Sequence, residues 1–375
     1  MNKTCKASIE RLTDSGIYQT ILNRGEIREL FLTVWPLPDE KPADMCKRLG
    51  KAVKDSKATI ISQKMFHFSE AREECLNAME KEFGHLDWPL TWLEEEMNGH
   101  PRLAGTVIHA IAGPRIETVE QDGRVVGCRY SEKGAEHLVM GDLRDPDTSK
   151  SAAEQTQYVL ESMIQGLAAA DMDFSHVIRT WFWNHDILGW YDEFNQVRTD
   201  FYEKYDVFNN LLPASTGIGA QNPFGAALAA GLIATKRLDD SITAQAVTSP
   251  LQSSARDYGS SFSRASEIAM ADHRKLFISG TASIDKAGLT VHVDDVAAQV
   301  DLTMRVVEEI LKSRDMDWSD ISRGMAYFRN AKDAPEYDKY CEKHSLPKLP
   351  VIVTNNVVCR DDLLYEIEVD AIALK

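Results

Sequence analysis

The chain is short of positive charge, of long apolar runs and of cysteines or histidines at metal-binding spacing. Its 42 Lys and Arg stand against 58 Asp and Glu, a formal net charge of −16. A surface that acidic repels phosphate backbones, which argues against nucleic-acid binding. An anionic small molecule could still bind, but only where a few arginines gather in a pocket. The Ala/Gly-rich stretch 225–234 is about half the length of a membrane span, so no membrane segment is expected. The start, MNKTCKASIERLTDSG, is too polar for a secretion signal. The six cysteines (Cys5, Cys46, Cys75, Cys128, Cys341 and Cys359) are scattered without a C-x-x-C pair. Neither a zinc site nor a disulfide framework is indicated, and reduced thiols in a cytoplasmic protein fit best. The ten histidines show no metal spacing.

What is present is ample apolar residue, 43% of 375 residues, enough for two or three domains with their own cores. Residues 1–25 read as a short leader. A first unit, 26–113, reads strand, helix, strand, helix, strand, strand: Leu30–Trp35, Ala43–Lys54, Thr59–Phe66, Ser69–Phe83, Leu90–Glu94 and Gly105–Ile111. A second unit, 114–236, opens with a polar insertion carrying turn signals at Asp122-Gly123 and Lys133-Gly134, then repeats the order from Leu138 to Ala234. A third, 237–375, opens with a Ser-rich connection over 236–262 and closes on strands Val351–Val357 and Leu363–Leu374. The repetition is visible in letters. At a shift of 144, Asp171-Met172-Asp173 meets Asp315-Met316-Asp317, Ser175 meets Ser319 and Arg179 meets Arg323, without a gap. A period this long indicates duplicated domains rather than a solenoid. The fold class is therefore α+β, built from β-α-β-α-β-β units with helices covering mixed sheets.

The final strand carries the chemistry. Leu363, Tyr365, Ile367 and Val369 share one face; Leu364, Glu366, Glu368 and Asp370 share the other. Acids at alternate positions stand roughly 6.5–7 Å apart and repel one another. On a solvated edge that is unremarkable. In a cleft it would raise the pKa of at least one, and a carboxylic acid still protonated near neutral pH can act as a general acid. Thr216-Gly217-Ile218-Gly219 precedes a strand rather than a helix, so it is not a phosphate loop. The aromatic cluster from Trp181 to Tyr205 reads as core and pocket wall.

With these pieces placed, the third unit resembles the RidA/YjgF family. The carriers are Phe277-Ile278-Ser279-Gly280, Asp295-Val296-Ala297-Ala298-Gln299, Asp317-Trp318-Ser319-Asp320-Ile321 and the closing Glu366–Ala373. RidA-like proteins are trimers with clefts between subunits, so three units in one chain imply a pseudo-trimer and a monomer in solution. The arginine that the family's imine deaminases use is Val351 here, so that chemistry is not implied. A closer resemblance, over about 240 residues, is to the chorismatase family on the same fold. It is carried by Arg179-Thr180-Trp181, Pro213–Ala220, Ser249-Pro250, Tyr258-Gly259, Phe262-Ser263-Arg264-Ala265, Leu276–Ala282 and Cys359–Glu368. That resemblance implies cleavage of chorismate, a small anionic cyclic carboxylate, to pyruvate and a ring product in secondary metabolism, without metal or organic cofactor. It implies Glu366 as the acid that protonates the enol ether. It implies Arg264, Tyr258 and Arg179 as substrate-binding residues, with Gly280 and Cys359 shaping the pocket. The pairing of Gly with Cys is similar to members that form 3-hydroxybenzoate. The alternative is a RidA-like small-molecule binder or regulator that has kept a pocket and lost chemistry. An endoribonuclease, as some relatives are labelled, sits poorly with the −16 charge.

Overall fold

A computed structural model describes residues 6–67, 69–94 and 103–375. It holds three six-stranded sheets of identical strand order. The first contains β1 (Ser8–Asp14), β2 (Ile17–Arg24), β3 (Ile27–Val34), β4 (Thr59–His67), β5 (Leu90–Glu94) and β6 (Leu103–Ala112), with helices α1 (Pro42–Ser56) and α2 (Arg72–Phe83). The second contains β7 (Glu117–Gln121), β8 (Arg124–Glu132), β9 (Ala135–Leu143), β10 (Val177–Asn184), β11 (Ala214–Gly219) and β12 (Leu228–Arg237), with α3 (Ala152–Ala169) and α4 (Ile187–Lys204). The third contains β13 (Thr243–Val247), β14 (Ala265–Ala269), β15 (His273–Ala282), β16 (Ile321–Phe328), β17 (Val351–Asn355) and β18 (Tyr365–Leu374), with α5 (Val296–Lys312) and α6 (Pro335–Lys343). Among the described residues, no helix is long and apolar enough to cross a membrane.

In every sheet the order is edge hairpin, then the third strand, then the last strand, then a parallel pair, as in β13-β14-β15-β18-β16-β17. Only that final pair (β4·β5, β10·β11, β16·β17) is parallel. The repeat seen in the letters has a local cause. Asp171 and Asp315 both sit in the left-handed region at φ 54° and reverse the chain after a helix. Two residues on, the side chains of Asp173 and Asp317 accept from the backbone N–H of Ser175 and Ser319, capping the turn that feeds β10 and β16.

Two expectations are corrected. Residues 8–24 are not a leader: they form the hairpin β1-β2 at the edge of the first sheet, paired from Ser8↔Asn23 to Asp14↔Ile17. Ile17, Tyr18, Thr20 and Leu22 are buried, so this edge contributes to the packing. Likewise the Ser-rich connection 236–262 holds a sixth strand, β13, whose pattern of small and polar residues suits an edge. Each unit is thus a β-α-β-α-β-β core preceded by two more strands.

Each sheet buries one face under its helices; Tyr365, Ile367, Val369 and Ala371 of β18 pack there with α5 and α6. The other faces of the three sheets pack on one another around Phe66, Trp181, Trp183, Met325 and Tyr327. Backbone bridges stitch the sheets together at Glu94↔Gln221, Ala214↔Ser263 and Gly219↔Val357. The third and first sheets are tied by Trp35 Nε1 donating to the Val351 carbonyl at 3.0 Å. Because these contacts close within one chain, we expect a monomer by light scattering. A stable trimer at micromolar concentration would show that the sheet faces seek partners elsewhere.

Candidate active site

The acid face of β18 turns inward, not to solvent. Glu366, Glu368 and Asp370 are 5%, 1% and 5% exposed. Burial of three carboxylates in a row requires compensation, and two of them have it. Arg323 on the neighbouring strand forks onto Asp370 through Nε and Nη2. Arg179 comes from the second sheet: its Nη2 donates to Glu368 and, at 2.6 Å, to Thr216 Oγ1. Trp181 Nε1 and the Thr216 hydroxyl also donate to Glu368. The duplicated arginines therefore do one job twice, neutralising the two inner acids.

Glu366 is different. Among the described residues its carboxyl has no hydrogen-bond partner, and it lines a cavity between the second and third sheets. Burial, with the Glu368 charge next to it, raises its pKa to about 8 against the opposing pull of Arg179 and Arg264. The carboxyl is thus protonated at neutral pH. Gly280 makes this position possible. A Cβ there would fall 2.0 Å from Glu366 Oε1 and 3.2 Å from Thr216 Cγ2. Its backbone N–H donates to Thr216 Oγ1 at 3.0 Å, so Thr216 joins the acid strand to the facing sheet.

The remaining wall is cationic and aromatic. Arg264 is 5% exposed; its Nε donates to the Ser253 carbonyl, while Nη2 is buried without a partner. Its guanidinium lies 5.3 Å from the Tyr258 ring centroid, and Arg360 lies at the same distance from that ring. Tyr258 is packed against Gly288. Arg198 enters from α4, 1% exposed, with Nη2 on Asn195 Oδ1 and Nε unpartnered. Tyr191 and Cys359 also line the cavity, and burial pushes the Cys359 thiol up to about 12, so it is no thiolate nucleophile. The enclosed space is about 40 Å³, with Tyr258 and Arg360 half-buried at its wall.

Of the residues singled out in the sequence, Glu366, Arg264, Tyr258, Gly280 and Cys359 are brought together at this cavity; Arg179 is not. It stands behind Glu368, holding that carboxylate rather than reaching the wall. Sequence reasoning missed Arg198 and Arg360. Arg198 follows Tyr191 by two helical turns, which puts both on one face of α4.

Pseudo-symmetry relates this cavity to the two other clefts. Counted from the shared β-bulge at Ser62, Arg179 and Arg323, the partner of Glu366 is Ala229 in the second sheet and Gly105 in the first. In the cleft between the first and second sheets the backbone N–H of Asp142 donates to Thr91 Oγ1 at 3.0 Å, copying Gly280 and Thr216. There, however, the Asp142 carboxylate fills the space itself and is gripped by Arg124 and Arg144.

A raised pKa in the folded state carries a stability cost. Below about pH 4.5 the carboxyl is neutral folded or unfolded; above that the unfolded chain gains by ionising and the folded chain does not until about pH 8. Glu366→Gln should therefore be more stable than wild type by roughly 3 kcal/mol at pH 7, with the advantage vanishing near pH 4. Denaturant melts across that range check this; a constant difference would mean that Glu366 is ionised in the folded protein.

Comparisons with known proteins agree with the geometry. Residues 260–375 match the sequence profile of the family described as Endoribonuclease L-PSP. The chain is 26% identical over 303 residues to a 3-hydroxybenzoate synthase of Streptomyces hygroscopicus, covering 72% of this chain and 85% of that protein. It is 27% identical over 218 residues to a chorismatase of Streptomyces rapamycinicus, covering 52% of this chain and 64% of that one. A chorismatase crystal structure superposes with a TM-score of 0.62 at 19% identity, over 84% of this chain and 93% of the other. The chain is thus similar to a 3-hydroxybenzoate synthase and to chorismatases over half or more of its length, and it shares the fold of a chorismatase, with an L-PSP-type unit at its C-terminal end.

Proposed function

We propose that this protein cleaves the enolpyruvyl ether of chorismate, giving pyruvate and 3-hydroxybenzoate, with Glu366 as the general acid. The observation that carries this reading is a buried carboxyl with a pKa near 8, free of protein partners, facing a cavity walled by Arg198, Arg264 and Arg360. Protonating the methylene carbon of an enol ether needs an acid that holds its proton at neutral pH yet can give it up. The proton moves from Glu366 to that carbon, leaving an oxocarbenium ion on the side chain. The new carboxylate of Glu366 stabilises it, next to Glu368. Two routes balance. In one, water adds to the oxocarbenium carbon, the hemiketal releases pyruvate and the ring diol then loses water to aromatise. In the other, the neighbouring ring hydroxyl oxygen bonds to the ring carbon as the ether C–O bond breaks and pyruvate leaves, after which its old C–O bond opens and the ring loses a proton to aromatise. The atoms of pyruvate and 3-hydroxybenzoate sum to those of chorismate, so that outcome needs no net water and no redox partner.

Chorismate carries two carboxylates, and the planar guanidinium suits each of them. Arg264 offers an unpaired buried Nη2 and Arg198 an unpaired Nε, so the two side chains supply donors without giving up existing bonds. Gly280 and Cys359 leave the wall beside Glu366 small, in keeping with the product of the hygroscopicus relative.

Incubation with chorismate, followed by detection of pyruvate and 3-hydroxybenzoate, tests the reading. Pyruvate should appear in wild type, and Glu366→Gln should lower the rate by about 10²–10⁴-fold while binding persists. Full turnover by the variant would remove Glu366 from the mechanism; binding without turnover in wild type would identify a RidA-like binder instead. The rate should fall as pH rises through about 8, because only the protonated form works. In Glu368→Gln that alkaline limb should move to lower pH, since the charge that disfavours ionisation is gone. Arg264→Ala should weaken binding of a dicarboxylate analogue by roughly 1.5–3 kcal/mol, read by titration calorimetry; unchanged affinity would put the clamp elsewhere.

A further inference from the structure

The three sheets enclose a second, smaller cavity between them, lined by Ser62, Lys64, Thr91, Trp181, Trp183 and Arg323 among others. Its charges do not balance. Arg323 is taken by Asp370 and Arg179 by Glu368. His109, also on this wall, is taken by Glu29. Lys64 is only 6% exposed and has no hydrogen bond or ion pair among the described residues. Its Nζ lies 3.5 Å from the centroid of the Trp181 ring, which also faces the guanidinium groups of Arg179 and Arg323 at 4.9 Å each. Three basic groups thus surround one indole against two carboxylates, and Lys64 is the one without a counter-ion.

We propose that this inter-sheet cavity binds a single halide ion, chloride under ordinary conditions, against the Lys64 ammonium. Sign and size define the class. Asp370 also lines the wall but is gripped by Arg323, so the group left without a partner there is Lys64, and what it lacks is an anion. A free space of about 20 Å³ admits one water or one monoatomic ion and excludes phosphate, sulfate or a carboxylic acid. Thr91 and Ser62 line the same wall with hydroxyl groups that can donate. Weakly hydrated halides suit such a wall of indole, methyl and hydroxyl groups. Burial, reinforced by Arg323, pushes Lys64 well below the ordinary lysine range, and an adjacent anion would restore its charge. The halide would then be a shared counter-ion of the three units, contributed to by a residue from the one unit that supplies nothing to the Glu366 cavity.

The test uses the full chain. Crystals grown in sodium bromide should show an anomalous peak in the cavity next to Lys64 Nζ. A peak that is absent, with ordered water in its place, overturns the proposal. Independently, the melting temperature should rise saturably, by about 2 °C or more, on replacing sodium gluconate by sodium chloride at matched ionic strength. Gluconate is too large to enter. Lys64→Met should lose this halide dependence, and Lys64→Gln serves if the first variant does not fold. Equal melting in the two salts for wild type, or a halide effect that survives both substitutions, overturns it. None of these readouts depends on turnover of chorismate, so they fail separately from the functional reading.

Discussion

Everything at the candidate active site depends on how one buried carboxylate, Glu368, is held. Three donors from the second sheet, Arg179, Trp181 and Thr216, converge on an acid carried by the third. A buried anion with fewer partners would protonate or pull in water. Held this way, it serves two purposes. It locks the facing sheets in register, and it sets a fixed negative charge beside Glu366, whose own carboxyl is left without partners. The neighbours on the strand are thus treated in opposite ways: Glu368 and Asp370 are satisfied, Glu366 is stranded. That difference is what makes Glu366 an acid at neutral pH.

The repeat of the fold does not produce a repeat of the site. All three clefts offer the same strands and the same bulge, but the side chains diverge. One cleft keeps Glu366 and the space above Gly280. The second closes on the Asp142 carboxylate with Arg124 and Arg144. In the third, the Val34 carbonyl and the Ile352 side chain crowd Gly105. Duplication inside one chain permits this asymmetry, because each copy can change separately, whereas a trimer of identical subunits must change three clefts at once. The spared copies then become supports: the second unit anchors Glu368, and the first closes the sheet faces from behind.

The period of 144 was legible because the turn it includes is specified locally, by Asp in the left-handed region and an Asp-x-Ser cap. The alternation of β18 was legible because strands have period two. The hairpin β1-β2 was harder to see, since an edge strand is half polar and carries no strong pattern. Arg198 escaped notice for a related reason. A lone arginine in an aromatic helix looks like a surface residue until the helix is docked, and only its seven-residue spacing from Tyr191 hinted otherwise.

The sequence by itself determined the core elements, their repetition, the acid row and the resemblance to chorismatases, because these follow from short-range geometry and side-chain pattern. Only the tertiary structure decided which face of β18 is buried, since alternation is the same for a solvated edge and a walled cleft. It alone turned Arg179 from a substrate clamp into an anchor, because the second and third sheets meet at Glu368. It alone separated three acids of like spacing into two paired ones and one free. Those outcomes depend on which groups other strands bring within hydrogen-bonding distance, and residues such as Arg179 and Glu368, 189 positions apart, meet only when the sheets pack.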